Sequence, residues 1–170
     1  MERLIAGAKR LGLSLTPRQV ESFQVYYEEL IHWNKRVNLT TIVDYEEVQL
    51  KHFLDSLSVA LAIKDIPSLV IDVGTGAGMP GVPLKILLPN ISLTLVDSTR
   101  KKTDFLNHLV ARLGLEGVEV LTTRAEHLAH DEGYRERFDL VLSRGVARLA
   151  TLAELALPLC AVGGLSLIHI

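Results

Sequence analysis

Residues 69–78 read LVIDVGTGAG, a mainly apolar run that passes into glycines at every second position. An apolar run of this length is typical of a strand buried in a parallel sheet. Glycines directly behind such a strand let the backbone turn sharply and approach a bound molecule closely. The stretch therefore predicts a strand and turn that bind a cofactor containing a nucleoside.

The residues after the glycines extend the same unit. Residues 80–88 are predicted to form a helix, because two prolines lie in its first turn, where no backbone donor is needed, and a third follows its end. Residues 91–97 are predicted to form the next strand, with Asp97 about 20 residues after the glycines, where a carboxylate can accept both ribose hydroxyls. The simpler alternative is a tight turn, with Asp97 capping a helix that begins near Ser98.

The spacing of the glycines separates classes of cofactor. The dinucleotide fingerprint is G-x-G-x-x-G, whereas Gly74, Gly76 and Gly78 occupy alternate positions after Asp72. A D-x-G-x-G-x-G loop resembles the first motif of the class I S-adenosylmethionine-dependent methyltransferases, in which the loop surrounds a sulfonium and an amino-acid group. The resemblance favours S-adenosylmethionine over a dinucleotide.

The composition is that of a globular protein with one sizeable core: 170 residues, 48% hydrophobic and 22% charged. The single cysteine, Cys160, excludes an internal disulfide, and no Cys and His residues show metal-ligand spacing. No signal peptide is evident, and no apolar run reaches the roughly 18 residues of a membrane span. We therefore expect a cytoplasmic protein without a metal. The net charge of −2 means that only local basic patches could bind nucleic acid.

The first third of the chain has a helical pattern. Residues 1–11 carry an apolar face and precede a glycine, and residues 16–19 (TPRQ) form a capping box. A third helix is predicted after Asp44. Its predicted buried stripe is Val48, Phe53, Leu57, Ala60 and Leu61. These helices predict an N-terminal helical cap, residues 1–64, packed on a core of residues 65–170.

From residue 69 onward, strand patterns alternate with helical ones. This alternation predicts an α/β fold with a mostly parallel, doubly wound sheet and helices on both faces. The predicted strands are 69–73, 91–97, 118–121, 138–143 and 165–170. The predicted helices of this part are 80–88, 100–113, 126–130 and 147–159.

Four ordered segments carry a more specific resemblance than the glycine loop alone. They are Trp33–Thr40 (WNKRVNLT), His52–Leu57 (HFLDSL), Asp72–Leu84 (DVGTGAGMPGVPL) and Ser143–Ala147 (SRGVA). Together they closely resemble the ribosomal RNA small-subunit methyltransferase G family, from the N-terminus to about Gly164. The resemblance implies a Rossmann-like, class I methyltransferase fold. It also implies that the chain lacks the last strands of that fold, since residues 165–170 depart from the family pattern.

The resemblance implies methylation of the N7 atom of a single guanine, guanine-527, in 16S ribosomal RNA, with S-adenosylmethionine as cofactor. The small ribosomal subunit is the implied partner of a monomeric, bacterial, cytoplasmic protein that binds neither DNA nor membrane. No catalytic side chain is expected, because N7 carries a lone pair and no proton and can attack the sulfonium methyl directly. Together, the loop pattern and the resemblance give these cofactor-binding residues: Gly74, Gly76, Met79, Asp97, Ala125, Glu126 and Arg144.

Several of these residues have simpler explanations that the sequence leaves open. Met79 could fill a gap in the core, Glu126 could be an acid in a helix's first turn, and Arg144 could form a surface ion pair. His52 and Asp55 stand three apart on a helix, which favours a structural pair over acid–base chemistry.

Basic residues beside an aromatic one raise a similar choice. Trp33 with Lys35 and Arg36 suits RNA contact and suits an anchoring tryptophan equally well. Residues 100–102 (RKK) either contact phosphates or form a solvated helix face.

Two other methylation chemistries are disfavoured. Methylation of an exocyclic amine is disfavoured, because Ser143-Arg144-Gly145 stands where methyltransferases of such amines carry N-P-P-[YF]. Methylation through a covalent adduct with the base is disfavoured, because Cys160 is predicted at the far end of a helix, away from the cofactor site. Fold alone does not fix the substrate. A methyltransferase of another RNA, a protein or a small molecule therefore stays an alternative, as does a nucleotide-binding module without catalysis.

Overall fold

The structure is a computed structural model that describes residues 1–145 and 148–169. Five strands form one sheet in the order β3-β2-β1-β4-β5, and all neighbours are parallel. The strands are β1 (Leu69–Val73), β2 (Ser92–Asp97), β3 (Val118–Thr122), β4 (Phe138–Arg144) and β5 (Cys160–His169). The predicted parallel α/β sheet is confirmed. Its strand order reverses between β1 and β4, and such switch points are where these sheets bind ligands.

The predicted and observed strands differ most at β5. The prediction started this strand at residue 165, whereas pairing begins at Cys160, opposite Phe138, and continues through a Gly-Gly pair with a shift in register. The prediction placed these glycines before the strand, but an irregularity within the β4–β5 ladder accommodates them. Ile170 and residues 146–147, which belong to the predicted strand and to the SRGVA segment, lie outside the described residues.

Helices cover both faces of the sheet. The N-terminal helices are α1 (Glu2–Arg10), α2 (Pro17–Asn34), α3 (Tyr45–Glu47), a π-helix (Val48–Leu54), α4 (Asp55–Ser58) and a 3-10 helix (Val59–Ala62). The later ones are α5 (Gly81–Leu87), α6 (Arg100–Leu113), α7 (Ala125–Ala129), α8 (Leu149–Ala156) and a 3-10 helix (Leu157–Leu159). In the part of the chain described, no helix has the length and apolarity needed to cross a membrane.

Each face of the sheet has its own layer of buried side chains. On one face, Leu95 and Leu142 share a core with Phe23 and Phe53 of the N-terminal helices. On the other face, a smaller core joins the alternate strand residues to α7 and α8. This division follows from strand geometry, since successive side chains point to opposite faces.

The predicted helix starts at Thr16 and Asp44 are confirmed. Thr16 Oγ1 accepts a hydrogen bond from the backbone N–H of Gln19 at 3.3 Å, and Gln19 Oε1 accepts one from the N–H of Thr16 at 2.8 Å. Gln19 Nε2 also donates to the carbonyls of Ile86 and Leu87, so that this cap ties the start of α2 to the end of α5. Asp44 caps α3 in the same way, by accepting from two backbone N–H groups.

The helix that follows α3 differs from the prediction in its geometry and in the burial of Leu61. Residues 48–54 form a π-helix, in which each hydrogen bond spans one residue more than in an α-helix, and the last turn is a 3-10 helix. Phe53 and Leu57 are buried as predicted, but Leu61 is 58% exposed. The prediction for Leu61 was wrong because a constant α-helical period does not hold across the wider turn.

Trp33 packs the end of α2 against α6. Its ring centroid lies 5.7 Å from that of Phe105 and 5.2 Å from that of His108. The guanidinium carbon of Arg36 lies 5.7 Å from the centre of the same ring, within the range of a cation–π contact. The structure therefore favours the anchoring interpretation of Trp33.

Candidate functional site

The glycine loop follows β1 and is tied to a buried carboxylate. Gly74, Gly76 and Gly78 have φ angles of 68°, 59° and 95°, which residues with a Cβ rarely adopt. Asp72 is fully buried, and its Oδ2 accepts hydrogen bonds from Thr75 Oγ1 at 2.7 Å and from the first N–H of α5 at 2.8 Å. The loop therefore has one fixed path between β1 and α5.

The N-terminal helices also hold this loop. The hydroxyl of Tyr26, on α2, donates to the carbonyl of Ala77 at 2.5 Å in a fully buried contact. A Cβ added to Gly78 would lie 2.9 Å from that hydroxyl. A glycine at this position thus leaves room for Tyr26 to reach the loop.

Asp97 links the loop to the end of β2. Its Oδ2 accepts from Gly76 N–H at 3.1 Å, and its Oδ1 accepts from Thr99 N–H at 2.8 Å. Lys102 Nζ lies 3.7 Å from Oδ2, and the carboxylate is nearly buried. Asp97 therefore supports the start of α6, as the simpler alternative proposed, and also faces the glycine loop, as the cofactor interpretation requires.

A pocket of about 220 Å³ opens at the carboxyl edge of β1, β2 and β3. The predicted residues that line it are Gly74, Asp97, Ala125 and Glu126. The sequence patterns did not indicate four other lining residues, which are Ser98, Thr123, Arg124 and Leu155. The first three directly follow β2 or β3, and a position just after a parallel strand could have marked them as pocket residues. Leu155 comes from α8, and the sequence has no signal that places this helix at the pocket.

A larger groove, of about 550 Å³, lies at the opposite edge of the sheet, around residues 62–68 and the start of β5. It is lined by none of the residues that the sequence singled out. Open parallel sheets bind ligands at the carboxyl ends of their strands. We therefore place the functional site at the smaller pocket.

Gly76, Met79 and Arg144 do not line this pocket. Gly76 reaches it through the hydrogen bond to Asp97. Met79 is 6% exposed and belongs to the core shared with the N-terminal helices, the gap-filling position that the sequence left open. Arg144 ends β4, and its described hydrogen bonds go to the N-terminal helices. The assignment of all seven predicted residues to the cofactor stays a prediction.

Arg144 joins β4 to the N-terminal helices through a polar network. Its Nη1 donates to Asp55 Oδ2 at 2.9 Å, and its Nη2 lies 2.7 Å from His52 Nδ1. On the other side of the ring, His52 Nε2 lies 2.7 Å from Thr40 Oγ1, and Asn34 hydrogen-bonds to the backbone of Thr40. The side chains of Arg144 and Asp55 are 21% and 30% exposed, so that this is not a surface ion pair. Three of the four resemblance segments thus meet in one network.

The buried carboxyl group of Asp72 is electrostatically unusual. Burial raises its pKa from an ordinary 3.8 to about 7, against the lowering effects of the hydrogen bonds from Thr75 and Gly81 and of the charge on Arg144. Its Oδ1 has no hydrogen-bond partner among the described residues. Because the folded state binds extra protons here, the stability of the ligand-free protein is expected to fall as pH rises from about 4 to about 7.

The variant Asp72→Asn is expected to lose most of this pH dependence. The amide oxygen can accept the same two hydrogen bonds but cannot ionise. Between about pH 5 and about pH 8, the free energy of unfolding of the wild type should fall by about 3 kcal/mol more than that of the variant. Urea unfolding at both pH values measures this difference. Equal changes in the two proteins would show that Asp72 ionises normally.

Comparisons with known proteins give the family. The family model for rRNA small subunit methyltransferase G matches residues 19–169. Ribosomal RNA small subunit methyltransferase G of Dehalococcoides mccartyi (strain CBDB1) is 51% identical over 96% of this chain and 70% of its own. The proteins of that name from Roseiflexus castenholzii and Bacillus cytotoxicus are 52% and 49% identical, over 96% and 90% of this chain. The chain spans 70% and 64% of their lengths.

Solved structures share the fold. Ribosomal protein L11 methylase of Lactobacillus delbrueckii subsp. bulgaricus matches with a TM-score of 0.56 and 20% identity, over 74% of this chain and 60% of that one. A SAM-dependent methyltransferase of Agrobacterium tumefaciens matches with a TM-score of 0.53 and 14% identity, over 74% and 44%. At such identities the likeness concerns the fold alone. On the strength of the sequence match, which covers nearly its whole length, this chain belongs to the rRNA small subunit methyltransferase G family.

Proposed function

We propose that the protein is an S-adenosylmethionine-dependent methyltransferase that methylates N7 of a single guanine in 16S ribosomal RNA, in the bacterial cytoplasm. The hydrogen bond from Gly76 N–H to Asp97 Oδ2 carries the proposal, because it unites the glycine loop and the acid of the next strand in one site. Family membership supports the reaction and the RNA substrate. We also propose that residues 1–64 form a helical cap on a cofactor-binding core of residues 65–170.

The pocket suits a nucleoside that carries several hydrogen-bond donors. Asp97 and Glu126 contribute two carboxylates, whereas Ala125 and Leu155 contribute apolar surface. A Cβ on Gly76 would have no neighbour closer than 3.9 Å, so that the loop leaves space at this point. We assign the ribose to Asp97, the adenine to Ala125 and Glu126, and the amino-acid group to the glycine loop. When bound, S-adenosylmethionine supplies an electrophilic methyl group.

The reaction requires the protein to position the reactants and to stabilise charge, and it requires no general base. Guanine N7 has an in-plane lone pair and no proton to remove, so that alignment with the methyl group is sufficient. Ser143 and Arg144 end β4, where the motif for exocyclic amines would stand. Cys160 starts β5 at the edge of the sheet opposite the pocket, too far to form a covalent adduct with a base.

The edge that carries the pocket holds a group of exposed cations, although the whole chain has a net charge of −2. The loops after β2 and β3 lie there, as do the end of β4 and the start of α8, and the loop after α2 reaches this edge through Thr40 and His52. The exposed cations of these loops and of the first turn of α6 are Lys35, Arg36, Arg100, Lys101, Arg124 and Arg148, and the pocket also has the exposed acid Glu126. The opposite edge carries the exposed acids Asp65, Glu116, Asp131, Glu132, Glu136 and Asp139, together with the exposed cations Lys64, Arg135 and Arg137. The group of cations at the pocket edge favours the docking of a phosphate backbone over the pocket.

A triple variant tests this docking edge. Replacing Lys35, Lys101 and Arg148 by alanine should weaken binding of a 16S RNA fragment by about 10- to 100-fold near 0.1 M salt, and should flatten the salt dependence. The matched control replaces Lys64, Arg135 and Arg137, three cations of the opposite edge, and should change affinity little. Fluorescence anisotropy with labelled RNA measures both. Equal losses in the two variants would place the RNA elsewhere.

Incubation with radiolabelled S-adenosylmethionine tests the proposed function. The acceptors to compare are small ribosomal subunits, protein-free 16S RNA, and a mixture of cellular proteins and small molecules. Label in 16S RNA supports the proposal, and label only in the mixture would assign another substrate to the same fold. Cofactor binding without transfer to any acceptor would instead indicate a module without catalysis.

A further inference from the structure

The partners of His52 determine which of its ring nitrogens carries the proton. A guanidinium group has donors only, so that His52 Nδ1, 2.7 Å from Arg144 Nη2, must be an acceptor. In the neutral ring the proton is then on Nε2, which donates to Thr40 Oγ1 at 2.7 Å. Thr40 Oγ1 also accepts from the N–H of Ile42 at 3.0 Å, so that two donors meet the oxygen. The network therefore selects the Nε2–H tautomer.

The surroundings of His52 favour the neutral form of its ring. Burial lowers the pKa of His52 from its ordinary value of 6.5, and the charge of Arg144 lowers it further. A backbone hydrogen bond and Asp55, on the same helical segment, act in the opposite direction with smaller effects. Asp72 of β1 and Tyr26 of α2 lie within electrostatic reach of the same guanidinium. The uncharged ring is thus the form that fits between Arg144 and Thr40.

His52 fixes Arg144 at the point where β4 meets the glycine loop. Arg144 directly follows Ser143, which pairs in register with Val73, the last residue before the loop. Asp55 and His52 engage two of the five N–H groups of the guanidinium. The side chain of Arg144 nevertheless stays 21% exposed, at the edge where the pocket opens.

We propose that His52 is a positioning residue for methyl transfer, which as the neutral Nε2–H tautomer orients Arg144 toward the reacting complex at the carboxyl edge. This inference rests on the proposed function. His52 acts through Arg144 and is not itself a catalytic residue. Protonation of His52 places a second donor against Nη2 and breaks the contact. Methyl transfer by the wild type should therefore decrease as the pH falls through the pKa of His52, which lies below its ordinary value.

Two amide variants separate this role from a structural one. In His52→Asn the side-chain oxygen takes the place of Nδ1 and can still accept from Arg144, while the donor to Thr40 is lost. In His52→Gln the side-chain nitrogen takes the place of Nε2 and can still donate to Thr40, while the acceptor for Arg144 is lost. Neither amide ionises in the working pH range. The two variants therefore form a matched pair that differs in the contact with Arg144.

The measurements are kcat at saturating cofactor and 16S RNA between about pH 5.5 and pH 8, the melting temperature, and cofactor affinity by calorimetry. We expect His52→Asn to keep kcat within about fivefold of the wild type and to lose the decrease at low pH, and His52→Gln to lose kcat by about 100-fold. Both should melt at similar temperatures. Nitrogen-15 NMR of the wild-type imidazole should show the Nε2–H tautomer even without RNA.

The contrary outcomes separate this inference from the proposed function. Equal kcat in the Asn and Gln variants, or an Nδ1–H tautomer in the NMR spectrum, would overturn the role of His52 alone. A decrease at low pH that persists in His52→Asn would assign the titration to another group and also overturn that role. A wild type that transfers no methyl group to 16S RNA would overturn the proposed function, and the role of His52 with it.

Discussion

Replacement of Asp97 by alanine is expected to weaken the binding of S-adenosylmethionine by about 100-fold or more. The carboxylate lines the pocket and also accepts the N–H of Gly76, so that the variant loses the proposed partner of the ribose and a restraint on the glycine loop. A charge-assisted hydrogen bond contributes about 1.5–3 kcal/mol, and two ribose hydroxyls can each make one. Isothermal titration calorimetry with the purified protein measures the change.

The matched control is Asp104→Ala, which removes an acid from α6, the helix that follows Asp97. Asp104 pairs with Arg100 on the exposed face of α6, at 3.0 Å, and does not line the pocket. Its removal changes the net charge as much as the removal of Asp97 does, but should leave cofactor affinity within about twofold, because an exposed ion pair is worth little. Near-native affinity in Asp97→Ala would show that the cofactor does not contact this carboxylate.

Gly78→Ala is expected to destabilise the fold severely, by about 3 kcal/mol or more. The added Cβ would lie 2.8 Å from Val82 Cγ2, 2.9 Å from the hydroxyl of Tyr26 and 3.0 Å from Leu106 Cδ2. These atoms belong to three different buried side chains, so that relief requires several elements to move together. The residue would also keep a φ near 95°, which adds backbone strain.

Gly12→Ala separates the steric cost from the backbone cost. Gly12 has a φ of 76°, but a Cβ there would have no neighbour within 4 Å. This control should lose only about 1 kcal/mol, the cost of a left-handed conformation for alanine. Urea unfolding of both variants gives the comparison. Similar losses at Gly78 and Gly12 would mean that the contact between Tyr26 and the loop is loose.

The parts of the fold that the sequence predicted are those that local patterns determine. The strand before Gly74, the helix of residues 100–113 and the capping box at Thr16 each depend on patterns within a short stretch of sequence, and each is confirmed. The π-helix at residues 48–54 has no comparable local signal. It widens a turn where His52 and Asp55 face Arg144. This widening depends on tertiary contacts, which the periodicity of the sequence does not show.

The candidate site shows the same division. Gly74 and Asp97 could be predicted from spacing, because a βα turn and the end of the next strand must lie side by side in a parallel sheet. The contacts of Arg144 could not be predicted, since its partners Asp55 and His52 stand 89 and 92 residues earlier in the chain. The resemblance marked these residues without indicating that they contact one another. Leu155 of the pocket was missed for the same reason, because it arrives from α8 across the sheet.

Analysis of the methylated nucleoside tests the proposed chemistry most directly. Small ribosomal subunits lacking the modification are incubated with the protein and S-adenosylmethionine, and their RNA is digested and examined by mass spectrometry, with Asp97→Ala in parallel. We expect 7-methylguanosine at one position of 16S RNA with the wild type and none with the variant. A methyl group on another atom or another molecule, or equal methylation by Asp97→Ala, would contradict the assignment of this pocket and its reaction.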